Sequence, residues 1–179
     1  PQDTVITVLT DREEIGSDGA TGMKSTYMAD FIADLCAADG TTLRHVMEKT
    51  TCLSADVNAA FDPTYASAFE SNNASYLNNG AVITKYTGSG GKYSTSDATA
   101  EYMAKIRRLL DEKEVLWQTG ELGKVDGGGG GTIAKFVANL NADVVDLGVP
   151  VLCMHAPFEI VSKIDVYETY RALYEFYNA

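Results

Sequence analysis

Short apolar runs alternate with stretches of helical period along this chain, and no other feature limits its fold as much. Val5–Leu9, Thr50–Val57, Ala81–Tyr86, Val115–Gln118, Asp143–Leu147 and Val149–Met154 read as strands. Between them, apolar residues recur at one-face helical spacing: Met28, Phe31, Ile32 and Leu35, then Tyr102, Ile106, Leu109 and Leu110. The same spacing returns at Ile133, Phe136, Val137 and Leu140, and in a closing helix marked by Val166, Tyr170, Leu173, Tyr174 and Tyr177. Ser94–Asp97 carries N-cap chemistry ahead of the second helix, and Tyr65–Gly80 reads as a loop or short helix. Strands separated by helices predict an α/β fold with a mostly parallel sheet flanked by helices. Val5–Leu9 is expected to be a fully buried strand. A chain that opens directly into one suggests that preceding sequence is missing.

Composition narrows the partners. The net charge is −11, from 25 acidic against 14 basic residues, and no basic stripe is present for nucleic-acid phosphates. No apolar run approaches the ~20 residues that span a bilayer, and Pro1–Thr4 has no signal-type pattern, so neither a nucleic acid nor a membrane is an expected partner. Cys36, Cys52 and Cys153 are odd in number and form no C-x-x-C pair. Reduced, mostly buried thiols in a cytoplasmic protein are the expectation.

In open α/β sheets ligands bind beyond the carboxyl ends of the strands, so what each strand ends in matters. The first ends in Asp11-Arg12-Glu13-Glu14-Ile15-Gly16-Ser17, the second in Asp56-Val57-Asn58, and the Val149 strand in Cys153-Met154-His155-Ala156-Pro157. Carboxylates and an imidazole brought to one sheet edge form a ligand set for zinc, manganese or cobalt. Adjacent glutamates can divide the work, one binding metal while its neighbour takes a proton from water. By spacing alone, Glu13 and Glu14 read first as two solvated acids on a charged turn. His155 follows an apolar strand and precedes a sharp Ala-Pro exit, whereas His45 lies in a polar stretch and reads as a surface residue. Gly127–Gly131 precedes a helix but matches neither a P-loop nor a dinucleotide fingerprint; it reads as a flexible loop or as a close-approach site at a helix N-terminus.

Four segments occur in order: Asp11–Ser17, Ser54–Asn58, Gly128–Ala134 and Val151–Ala156. Together they resemble the aspartyl aminopeptidase family, family eighteen of the metallopeptidases, and its bacterial members above all. The resemblance runs from about Thr4 to Tyr177. It implies a dinuclear zinc-peptidase-like catalytic domain, with residues 1–179 as its C-terminal portion and the upstream segment and dimerisation domain absent. It implies Glu13 as general base, Glu14, Asp56 and His155 as ligands, and two divalent ions, zinc first, with cobalt or manganese possible. Lys85, Gly129, Gly130 and Gly131 fall where the family lines its substrate pocket. Cys153 stands where the family commonly has Ser, and is expected to pack rather than to bind metal.

The implied function is metal-dependent removal of N-terminal residues from peptides through a two-metal-activated water. Homo-oligomers, commonly tetrahedral dodecamers, are the family's assembly. A further His ligand and a bridging Asp are expected from upstream sequence, so the chain alone is expected to bind metal poorly and to be inactive. The alternative is a non-catalytic scaffold or assembly subunit that retains the peptidase fold; a related two-metal aminopeptidase of different residue preference is a third reading.

Overall fold

Helical and extended segments alternate in a computed structural model that describes residues 1–90, 93–124 and 126–179. The strands are β1 (Thr51–Ser54), β2 (Asn58–Ala59), β3 (Ala81–Thr84), β4 (Tyr86–Ser89), β5 (Tyr93–Asp97), β6 (Trp117–Thr119), β7 (Gly129–Gly130), β8 (Asp143–Gly148), β9 (Pro150–Leu152) and β10 (Ile160–Val161). The helices are α1 (Tyr27–Ala38), α2 (Leu43–Met47), α3 (Ala100–Glu112), α4 (Ala134–Ala138) and α5 (Lys163–Asn178). A four-stranded sheet in the order β1-β8-β3-β6 forms the centre. β1 pairs with β8 and β3 with β6 in parallel, while β3 and β8 run antiparallel. The mostly parallel α/β sheet expected from the sequence is therefore present.

Alternation along β8 sorts the two faces. Val145 and Leu147 join Ile83, Ile106, Leu110 and Ala172 in one core, under α3 and α5. Val144 turns the other way, into a second core with Ile32, Cys36, Met47 and Val137 from α1, α2 and α4. Each face of the sheet is thus covered by helices, as parallel pairing requires. Thr99 caps α3 by accepting from the Tyr102 N–H, and Ser162 caps α5 by accepting from the Ile164 N–H. The cap of α3 lies beyond Ser94–Asp97, which form β5 instead.

Beyond Ser54 and Gly148, the parallel pair β1–β8 continues into a smaller sheet ordered β10-β9-β2. β2 and β9 keep the parallel pairing, and the Asn58 N–H donates to the Val149 carbonyl at 2.9 Å. Residues 55–57 are a turn between two anchored strands. A third sheet, β5-β4-β7, takes the glycine run into an antiparallel ladder, with Gly129 opposite Ser89 and Gly130 opposite Gly88.

Two further expectations are corrected. Val5–Leu9 is not a strand, and Leu9 is 93% exposed. The segment runs alongside the second core, where Ile6 packs and Thr7 meets the Tyr177 hydroxyl at 3.1 Å. A β-prone sequence becomes a strand only when a sheet edge accepts its backbone groups, and this run pairs with none among the described residues. In α5 the helical period is right but the buried stripe is rotated. Asp165, Glu168, Thr169 and Ala172 face inward, while Val166, Tyr170 and Tyr174 are exposed. Asp165 accepts from the N–H groups of Asn78 and Gly80, each at 2.8 Å, and Glu168 accepts from that of Leu116 at 2.8 Å. Those are backbone groups at the entries to β3 and β6, and satisfying them is what turns the carboxylates inward.

Candidate metal centre

Glu13 and Glu14 sit on a single 3-10 turn, Glu13–Ile15, rather than at a strand end. Backbone bonds hold that turn: Gly16 N–H to the Glu13 carbonyl at 2.9 Å and Ser17 N–H to the Arg12 carbonyl at 2.8 Å. Arg12 and Gly16 flank it in the left-handed region, at φ 62° and 92°. From the other side, the Arg12 guanidinium donates to Thr21 at 3.2 Å, and Thr21 donates to the Asp11 carboxylate at 2.9 Å. The loop is therefore locked to its own backbone and side chains, and presents the two glutamates outward.

Asp56 occupies the turn between β1 and β2, where its carboxylate accepts from the Val57 N–H at 2.8 Å. His155 follows β9 on a tight turn, with Cys153 and His155 both at positive φ (59° and 65°). Its backbone N–H donates to the Glu159 carboxylate at 2.6 Å. The His155 Nε2 lies 3.7 Å from a Glu14 carboxylate oxygen. Two donors each about 2.0–2.1 Å from one zinc lie no more than about 4.2 Å apart, so this pair fits a shared ion.

Electrostatics ties the four residues into one group. Burial raises the Glu13 pKa above the ordinary carboxylate range, and Asp56 and Glu14 raise it further against the lowering influence of His155 and Lys135. Burial also raises Asp56; its bond from Val57 lowers it, Glu14 raises it and His155 lowers it. A base poised nearer neutrality and an imidazole beside carboxylates are what metal-assisted proton removal uses. The donor types suit zinc, yet among the described residues no group of three or more His, Cys, Asp or Glu is gathered closely enough to hold a metal. The arrangement is one close pair, Glu14 and His155, with Asp56 within electrostatic reach.

Lys85 belongs to a different group. It is exposed between β3 and β4, forms an ion pair with Asp97, and lowers the pKa of Glu121. Gly129 and Gly130 are strand residues of β7, and Gly131 lies against the Lys135 side chain. Cys153 is exposed, against the expectation of a packed thiol, because the positive-φ turn carries it outward. Cys36 is buried, and Cys52 is partly so.

Reading strand ends for metal ligands alone misses four contributors. Lys135, just beyond the glycine run, places a positive charge near Glu13. Asp146 lies inside β8 and Gly148 at its end; an acid within an apolar run and a glycine at a strand end are the signals that point to them. Asn58, buried under the Asp56 turn, donates to Thr84 at 2.8 Å and accepts from Ser75 at 2.6 Å.

Carboxylates and an imidazole at the edge of a helix-covered α/β sheet are donors of the types that bind zinc. Residues 1–177 match the family described as aminopeptidase I zinc metalloprotease (M18). The Clostridium acetobutylicum protein named probable M18 family aminopeptidase 1 is 49% identical over 179 residues, which are 98% of this chain and 38% of that protein. The crystal structure of an M18 family aminopeptidase from Thermotoga maritima superposes with a TM-score of 0.89 at 47% identity, covering 93% of this chain and 38% of that one. Aminopeptidase I from Clostridium acetobutylicum gives 0.85 at 50% identity, over 93% and 36%. The chain belongs to the M18 aminopeptidase family, and spans under two-fifths of the length of these relatives.

Proposed function

We propose that this chain supplies part of the active site of a zinc-dependent aminopeptidase that hydrolyses N-terminal residues from peptides. The observation that carries the reading is the close pair of His155 and Glu14, 3.7 Å apart, with Glu13 and Asp56 within electrostatic reach. Glu14 and His155 would hold one ion, and Asp56 would serve the same two-metal centre. Zinc bound there supplies Lewis-acid polarisation of the peptide carbonyl and a more acidic water. Glu13, its pKa raised by burial and by neighbouring carboxylates, takes up a proton on its carboxylate and returns it to the leaving amine. Lys85 and the glycine run are assigned to the substrate side. A cytoplasmic location and homo-oligomeric assembly are proposed as part of the same reading.

Zinc binding by the chain and by its Glu14→Gln, Asp56→Asn and His155→Ala variants tests the centre. Each substitution is expected to weaken binding, and indifference to all three refutes the reading. In a preparation that turns over an aminoacyl anilide, Glu13→Gln is expected to keep zinc while lowering turnover by about 10²–10⁴-fold.

A further inference from the structure

β8 carries a carboxylate where its pattern calls for an apolar side chain: Asp146, between Val145 and Leu147, is 4% exposed. Burying a carboxylate costs several kcal/mol unless its lone pairs are met. Both oxygens are met, each by a hydroxyl from a different segment. Ser54 Oγ, at the end of β1, donates to one at 2.7 Å, and Thr132 Oγ1 donates to the other at 3.0 Å. Thr132 Oγ1 also accepts from the Ala134 N–H at 3.2 Å, tying the same bond into the start of α4.

Both segments border the candidate metal centre. Ser54 lies two residues before Asp56. Thr132 directly follows the glycine run and leads into α4, whose Lys135 side chain lies against Gly131. The far end of the Asp56 turn is fixed by the Asn58 N–H on the Val149 carbonyl at 2.9 Å. Without the Asp146–Ser54 bond, the near end would rest on β1–β8 backbone pairing at the last register position of that ladder and on the packing of the Asp56 backbone over Gly148.

We infer that Asp146 is a positioning residue for the metal centre. It fixes the Asp56 turn through Ser54 and the glycine run with α4 through Thr132. This rests on the metal-centre reading above and adds to it a buried group that touches no ion. Partners that orient ligands in this way change metal affinity by about 10–100-fold when removed.

The test is zinc affinity of the 179-residue chain, measured by competition with a chromophoric chelator, with thermal melting in parallel. Ser54→Ala and Asp146→Ala are expected to weaken zinc binding about 10–100-fold. Asp146→Asn, whose amide can accept from one hydroxyl and donate to the other, is expected to restore most of it. Thr132→Ala frees the glycine run but not Asp56, and is expected to leave affinity close to wild type. If Asp146→Ala does not fold, Ser54→Ala decides. Wild-type affinity in Ser54→Ala, when His155→Ala has lost zinc, overturns the positioning role and leaves the metal centre standing. Equal losses in Ser54→Ala and Thr132→Ala that track their melting temperatures also overturn it, since general loosening then explains both. Wild-type affinity in Glu14→Gln, Asp56→Asn and His155→Ala alike, or a wild-type chain that binds no zinc, overturns the metal-centre reading and the inference with it.

Discussion

Gly148 lies so close beneath Asp56 that a Cβ added to it would overlap the Asp56 backbone carbonyl. Its φ is not among the positive values, so the requirement is steric and not conformational. The end of β8 thereby sets the height of the turn that carries a candidate ligand. Gly148→Ala must push the Asp56 backbone away, because a carbonyl cannot swing aside as a flexible side chain can. Its cost is expected to be about 1–3 kcal/mol of stability, in the range of overpacked cores. Zinc affinity is expected to fall by a larger factor than in a surface control such as Tyr170→Ser, at an exposed position of α5. Chelator competition and urea unfolding measured on the same samples check this.

Zinc that binds the folded chain and not the unfolded one must raise its apparent stability. At a free zinc concentration 100 times the dissociation constant, the gain is about 2.7 kcal/mol. With Glu14 and His155 only 3.7 Å apart, His155→Ala and Glu14→Gln are each expected to shrink that gain. EDTA is expected to return wild type to the melting temperature it has without zinc. A zinc-induced shift that survives both substitutions places the ion elsewhere.

The sequence conveyed periods better than orientations. β1, β3, β6, β8 and β9 lie within or overlap the runs expected from apolar patterning, and α1, α3 and α5 follow their helical spacing. What patterning could not convey was which face turns inward. Asp165 and Glu168 are drawn in by backbone N–H groups of Asn78, Gly80 and Leu116, about fifty to ninety residues away in the chain. Val5–Leu9 has the residue types of a strand, but pairing depends on a partner edge that local sequence does not encode. At the site, strand-end reasoning reached Asp56 and His155 because those side chains leave the sheet. It passed over Asp146 because that carboxylate stays inside β8, where only its conflict with an apolar neighbourhood marks it.

Glu121 offers a pH measurement away from the proposed ligands. Burial, then the nearby Asp97 carboxylate, pushes its pKa up to about 7, while Lys85 pulls it down. Lys85→Met removes the lowering charge, so Glu121 is expected to titrate higher still, as read from its side-chain carboxyl carbon shift in NMR. The linkage sign follows from proton uptake. Between the ordinary value of 4.5 and about 7, the folded chain holds this proton more tightly than the unfolded chain. That contribution to stability is greatest at the acid end and is lost as pH rises through the window. The decline is expected to extend to higher pH in Lys85→Met. An unchanged Glu121 titration would mean that Lys85 does not act on it.

Asp165 is fully buried and holds two backbone N–H groups from one loop, those of Asn78 and Gly80. Asp165→Ala leaves both donors without a protein acceptor, at about 1–3 kcal/mol for each buried group left unpaired. Water can reach exposed Asn78 but not buried Gly80, so the expected loss is about 2–4 kcal/mol. Asp165→Asn keeps one acceptor oxygen and is expected to lose less. The exposed stripe of the same helix supplies the contrast, since Tyr170 is 59% exposed although it fits the apolar spacing. Tyr170→Ser is expected to shift stability within about 0.5 kcal/mol, as surface substitutions do. Urea midpoints at unchanged m-value give the comparison. A greater loss at Tyr170 than at Asp165 would show that the apolar stripe, and not the carboxylate face, holds α5 to the sheet.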